Sequence, residues 1–125
     1  MKSVAQMEAD ISHAIVLFEK QYMGRGPSEI RTHILEDLVI VRLRGILTPA
    51  EHDLARTGDL LRGTLLIKSY RTELLEKARR QLDEIIESAT GEKVTSLHTD
   101  LSTTTGERLI VFTIGRAVNG SDGKR

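Results

Sequence analysis

The side chains in this sequence that could do chemistry are few and widely spaced. Histidines number four, His13, His33, His52 and His98, and no two stand at the i,i+4 spacing that sets a pair of imidazoles on one helix face for zinc. A metal site would have to be gathered from distant segments, and neither metal nor cofactor is expected. His98, Asp100 and Ser102 are the residue types of a hydrolase triad, but they crowd one short segment, where they are not expected to converge, and no Gly-x-Ser-x-Gly turn accompanies them. Glu51 is a candidate base by type; its position three residues after Thr48 points to helix capping instead. No catalytic residue is expected.

Two constellations could bind rather than react. In Gly24-Arg25-Gly26-Pro27-Ser28 the backbone amides of Gly24, Arg25 and Gly26, with the Arg25 guanidinium, could form a nest for an anion or phosphate. The alternative is a helix stop leading into a strand, since the segment lacks the order of a Walker or dinucleotide loop. Arg31, His33, Arg42, Arg44, His98 and Asp100 each lie opposite an apolar set in their strands. They could share one polar face that holds a carboxylate or bicarbonate, receives an acidic partner, or is solvated.

These residues need a scaffold, and 125 residues with 39 % hydrophobic content suit a single domain. We expect that domain to span residues 1–116, with 117–125 as a flexible tail. Lys plus Arg and Asp plus Glu stand at 18 each, so there is no global field to draw nucleic acid or anionic lipid. Aromatic residues are limited to two Phe and two Tyr, leaving few platforms for base stacking. Nucleic acid is therefore not an expected partner. The absence of cysteine excludes thiol chemistry and fits a reducing compartment. With no signal core and no apolar run of spanning length, the expectation is a cytoplasmic protein without membrane insertion.

The apolar residues Val4, Met7, Ile11, Ala14, Ile15, Phe18 and Tyr22 recur at helical steps, with Glu8, Asp10, Glu19 and Lys20 on the other side. This helix should stop at Gly24-Arg25-Gly26-Pro27. Ser28 to Leu35 and Leu38 to Leu47 read as a hairpin around Glu36-Asp37. Thr48-Pro49-Ala50-Glu51 is a capping box with Pro at the first helical position, opening a short helix. Thr57 or Asp59 then caps a long helix from about Leu60 to Ala89, whose apolar set is Leu61, Leu65, Tyr70, Leu74, Leu75, Ala78, Leu82, Ile85, Ile86 and Ala89. It is longer than so small a domain needs; either Gly63 breaks it or part of it packs on another subunit, making a homodimer the expected state. Val94 to Leu101 and Glu107 to Ile114 form a second hairpin. The fold class is α+β: a four-stranded, mainly antiparallel sheet from two hairpins, covered by the N-terminal helix and the short-plus-long helix pair, in the order α-β-β-α-α-β-β.

Four segments taken together resemble the MpsC-like family: Gly24-Arg25-Gly26-Pro27, Leu43-Arg44-Gly45-Ile46-Leu47-Thr48-Pro49-Ala50-Glu51, Ile86 to Val94, and Thr99-Asp100. The resemblance spans about Ala5 to Ile114. It implies a small component of a bacterial sodium-translocating, membrane-potential-generating system whose membrane subunits are also linked to inorganic-carbon uptake, and it carries over no catalytic or ligand residue. The expected function is a non-enzymatic cytoplasmic accessory or regulatory component, peripheral to the inner face of the membrane, that docks on membrane subunits of that system. The alternative is a small-anion or nucleotide sensor built on Arg25, Arg42 and Arg44, and an enzyme using His98 and Asp100 is the weakest reading.

Overall fold

In the computed structural model, which describes residues 2–56 and 58–118, Ser3 caps the first helix by accepting the Gln6 amide at 3.1 Å. Helix α1 (Val4–Phe18) buries Met7, Ile11 and Ile15, a series at steps of four. A π-turn follows over Glu19–Met23 and ends at Gly24, whose φ of 90° is the left-handed cap that glycine adopts without strain. The step of four continues to Glu19, which corrects its expected place on the solvent side: the residue is buried. Glu8 is likewise not spare, because its carboxylate accepts the Ile34 amide at 2.8 Å and so covers the backbone of an edge strand.

Strands β1 (Glu29–Leu35) and β2 (Leu38–Arg44) are joined by a two-residue turn in which Glu36 takes a φ of 57°. Strands β3 (Val94–Leu101) and β4 (Arg108–Ile114) form the second hairpin. The sheet is antiparallel throughout in the order β1-β2-β4-β3, so β2 and β4 join the hairpins at its centre. Val39, Val41 and Leu43 of β2 and Ile110, Phe112 and Ile114 of β4 point to one face, where α1 and α4 (Arg79–Thr90) cover them. Ile11, Ile15, Leu82 and Ile86 supply the helix side of this core. The α+β class and the α-β-β-α-α-β-β order are as the sequence predicts. The core reaches Val118, two residues past the expected boundary at 116; residues 119–125 of the expected tail lie outside the described residues.

Helix α2 (Pro49–Arg56) opens with the predicted box: Thr48 N donates to Glu51 Oε1 at 2.9 Å and Glu51 N donates to Thr48 Oγ1 at 3.1 Å. Asp59 caps α3 (Leu60–Lys77) by accepting the Arg62 amide at 3.1 Å, while Thr57, the other cap candidate, lies outside the described residues. The long helix divides at Ala78, where φ −98° and ψ 9° leave the helical region, and not at Gly63. Gly63 serves a close crossing instead: a Cβ there would stand 2.0 Å from the Leu54 carbonyl oxygen of α2. The buried stripe nonetheless keeps its phase across the break, with Ile67, Arg71, Leu75, Ala78, Leu82 and Ile86 at steps of four and three. In α3 the buried side chains include Ile67, Arg71 and Leu75, whereas Leu61, Leu65 and Tyr70, expected in the apolar set, are 69, 57 and 55 % exposed.

Candidate functional site

The helices cover one face of the sheet, and the register assigns the other face row by row. One row across the four strands reads Arg31, Arg42, Leu109, Asp100; the next reads His33, Ile40, Val111, His98. The six strand residues singled out in the sequence thus share the outer face. The histidines sit at opposite edges, three strand spacings or about 14 Å apart, too far to hold one ligand. Among the described residues no three His, Asp or Glu side chains are grouped as metal ligands would be.

Each arginine of this face already has a carboxylate. Arg42 is hydrogen-bonded to Glu107, Arg44 lies 3.5 Å from Glu107 and 3.8 Å from Glu29, and Arg31 lies 3.4 Å from Glu29. The hydrogen bond from Arg42 holds the Glu107 carboxyl below the usual carboxylate range. Asp100 is likewise lowered, first by Lys68 of α3, whose Nζ is 2.9 Å away, and then by the Leu101 amide. Asp100 is therefore turned toward Lys68 and its own backbone, not toward His98. Arg31, Arg42 and Arg44 share the carboxylates of Glu29 and Glu107, and Lys68 holds Asp100, so each of these cations already has a carboxylate partner. Between the charges Leu109 and Leu35 are 40 and 58 % exposed, with Ile40 and Val111 half-buried beside them.

Arg25, Gly24 and Gly26 do not join this face. Gly24 is the helix cap, a Cβ on Gly26 would touch the Lys20 side chain at 3.2 Å, and Arg25 Nη2 donates to the Gly45 carbonyl at 3.3 Å. Ser28 N donates to the Arg44 carbonyl at 2.8 Å, and a Cβ on Gly45 would meet Ser28 Oγ at 2.1 Å. The Gly24–Ser28 and Arg44–Glu51 segments thus lock to each other where α1 hands over to the sheet. The helix stop at Gly24 and the entry to the strand at Ser28 are both present.

Sequence reasoning missed a buried polar cluster on the other side of the sheet. Glu19, Arg71 and Arg108 line a cavity of about 20 Å³ with Tyr22, Leu82 and Ile110, room for one water molecule. Burial raises the Glu19 carboxyl, against the pull of Arg108 and Arg71, and burial also lowers Arg108. Arg108 Nη1 donates to Thr99 Oγ1 at 3.3 Å. Arg71 Nη2 donates to Glu51 Oε1 at 2.8 Å and to the Ile46 carbonyl at 3.0 Å. The signal was present: Glu19 continues Met7-Ile11-Ile15, Arg71 follows Ile67 by four, and Arg108 alternates with Ile110 and Phe112. Each charge sits in the phase of the buried face.

A family profile described as Na+-translocating membrane potential-generating system (MpsC) matches residues 3–116. The chain belongs to the MpsC family. Among relatives, the uncharacterized protein YbcI of Bacillus subtilis (strain 168) is 49 % identical over 111 residues, covering 89 % of this chain and 87 % of the relative. The uncharacterized protein YrhF of the same organism is 28 % identical over 101 residues, 80 % of each chain. No solved structure matches. The MpsC resemblance rests on segments whose roles in this chain are structural: the lock between Arg25, Ser28 and Gly45, the capping box at Thr48 and Glu51, and the helix end at Gly91 with its φ of 77°. Among the described residues no helix is long and apolar enough to cross a membrane.

Proposed function

We propose that this chain works without catalysis as a cytoplasmic accessory or regulatory component of a membrane ion-translocation system of the sodium or inorganic-carbon class. It acts as a homodimer, peripheral to the inner face of the membrane, and docks the outer face of its sheet on a water-exposed segment of a membrane subunit. Membership in the MpsC family supports the system. The observation that carries the mode of action is the outer face itself, where Leu35, Ile40, Leu109 and Val111 lie among arginines already paired with Glu29 and Glu107. Apolar side chains ringed by paired charges suit protein association. Capture of a small anion favours unpaired cations, because an incoming anion would have to displace carboxylates held at hydrogen-bonding range.

The test is sodium-dependent membrane potential in cells lacking this chain, complemented with the wild type or with Leu109→Glu. The wild type restores the potential and the variant, expressed at equal level, does not. Equal potentials with and without the chain would overturn the proposal.

A further inference from the structure

Among the described residues, four of the nine exposed large hydrophobic side chains lie on α3. Leu61, Leu65, Leu66 and Tyr70 are 69, 57, 50 and 55 % exposed, on a helix whose opposite side is tied down by Ile67, Arg71 and Leu75. Solvating four such side chains together is unfavourable for a lone domain, and a contiguous patch of this kind marks an association surface. The polar residues between them show what fits. Arg62, Leu66, Ser69 and Glu73 follow one another at steps of four, three and four, the spacing of the seam along which two helices pack. All four are exposed, and among the described residues neither the Arg62 nor the Glu73 side chain holds an ion pair.

This seam is complementary to itself in one orientation. In an antiparallel pair with a two-fold axis between residues 67 and 68, each residue faces the one whose number makes the sum 135. Arg62 then meets Glu73 of the other copy, Leu66 meets Ser69, and Leu65 meets Tyr70. A parallel pair would set Arg62 on Arg62 and Glu73 on Glu73, like charge on like. Ser69 is small enough to let the two backbones approach, and the flanking Leu65 and Tyr70 close the sides of the seam. A two-fold pairing of this kind uses the same patch on both partners and closes without leaving a free interface.

We propose that α3 is the docking surface for a second copy of this chain, antiparallel, with Arg62 of each copy set against Glu73 of the other. The inference rests on the homodimer part of the proposed function and adds its surface and register. It leaves the outer face of the sheet free for the membrane subunit.

The test is the mass in solution by light scattering of the purified full chain at micromolar concentration, for the wild type, Leu66→Glu, Arg62→Glu and the double variant Arg62→Glu/Glu73→Arg, with thermal melts as the check on folding. The expected result is a dimeric wild type, a dimer weakened by roughly tenfold or more in each single variant, and recovery of the dimer in the double variant. All three substituted side chains are on the surface, so the melts should stay close together. A dimeric wild type unmoved by Leu66→Glu would overturn the α3 surface while leaving the homodimer standing. Failure of the double variant to recover would overturn the antiparallel register. A monomeric wild type would overturn both the inference and the homodimer on which it rests.

Discussion

Arg71 grips Glu51 with two donors, Nε to Oε2 at 3.0 Å and Nη2 to Oε1 at 2.8 Å, and that same carboxylate accepts the Thr48 amide that opens α2. One ion pair therefore joins α3, the start of α2 and, through the Ile46 carbonyl, the end of the first hairpin. The Arg71 and Glu51 side chains are only 6 and 14 % exposed. Breaking one partner would strand the other in a low-dielectric site.

Arg71→Ala is expected to destabilise the fold by about 2–3 kcal/mol, because it leaves the part-buried Glu51 carboxylate without its ion pair. Glu51→Gln keeps a side chain able to accept the Thr48 amide but loses the ion pair, and should cost less than Arg71→Ala. Urea denaturation of the two variants checks the order. Equal stability of Arg71→Ala and wild type would contradict the account.

Gly63→Ala should reverse the usual helix preference. In an exposed helix interior alanine stabilises by about 1 kcal/mol over glycine. Here a Cβ would stand 2.0 Å from the Leu54 carbonyl oxygen, so α2 must move off α3, at a cost of roughly 1–3 kcal/mol. The chemical-denaturation midpoint gives the sign directly.

The part-buried Glu51 and the buried Glu19 predict opposite pH trends. For Glu51, burial alone would raise the carboxyl, but the hydrogen bonds from Arg71 and the Thr48 amide outweigh it. Its folded value lies below the unfolded 4.5, so its contribution is full above that pH and is lost as pH falls through the lowered value. For Glu19, burial places the folded value above 4.5, so stability is lost as pH rises from there through the raised value. Glu19→Gln should therefore melt higher than wild type at about pH 7, with the gap closing at about pH 4. A lower melting temperature at neutral pH would show that Glu19 is a net stabilising partner of Arg108.

The outer-face ion pairs should matter little for folding. Arg42 and Arg44 are half exposed, and exposed pairs are worth about 0–1 kcal/mol. Arg42→Ala/Arg44→Ala is expected to unfold within about 1–2 kcal/mol of wild type while weakening association with the membrane subunit. A large loss of stability would move these residues from docking to structure.

What the sequence disclosed follows the range of the interactions. Thr48 and Glu51 are three residues apart, and Glu36-Asp37 is a two-residue turn; such local signals placed the ends of α2 and of the first hairpin. The outer face was legible because alternation along a strand puts Arg42 and Arg44 opposite Val41 and Leu43 whatever the strand pairs with. The β2 to β4 pairing was not, since it brings Arg42 beside Leu109 across the intervening helices, and neither strand alone encodes that register. The long helix misled because Ala78 carries no breaking residue type. Leu61 and Leu65 are core residues by type alone: they are exposed and lie off the stripe of Ile67, Arg71, Leu75, Ala78, Leu82 and Ile86. Glu19, Arg71 and Arg108 were hidden by their charge, though each occupies a position whose neighbours in phase are buried.

The measurement that tests the central claim most directly is capture of membrane proteins by the tagged chain from detergent-solubilised native membranes, with wild type and Leu35→Glu/Leu109→Glu run side by side. The account predicts that a multi-spanning ion-translocation subunit is recovered with the wild type and is lost with the outer-face variant, which still folds. Recovery of no such subunit with the wild type, or its equal recovery with both, would contradict the account.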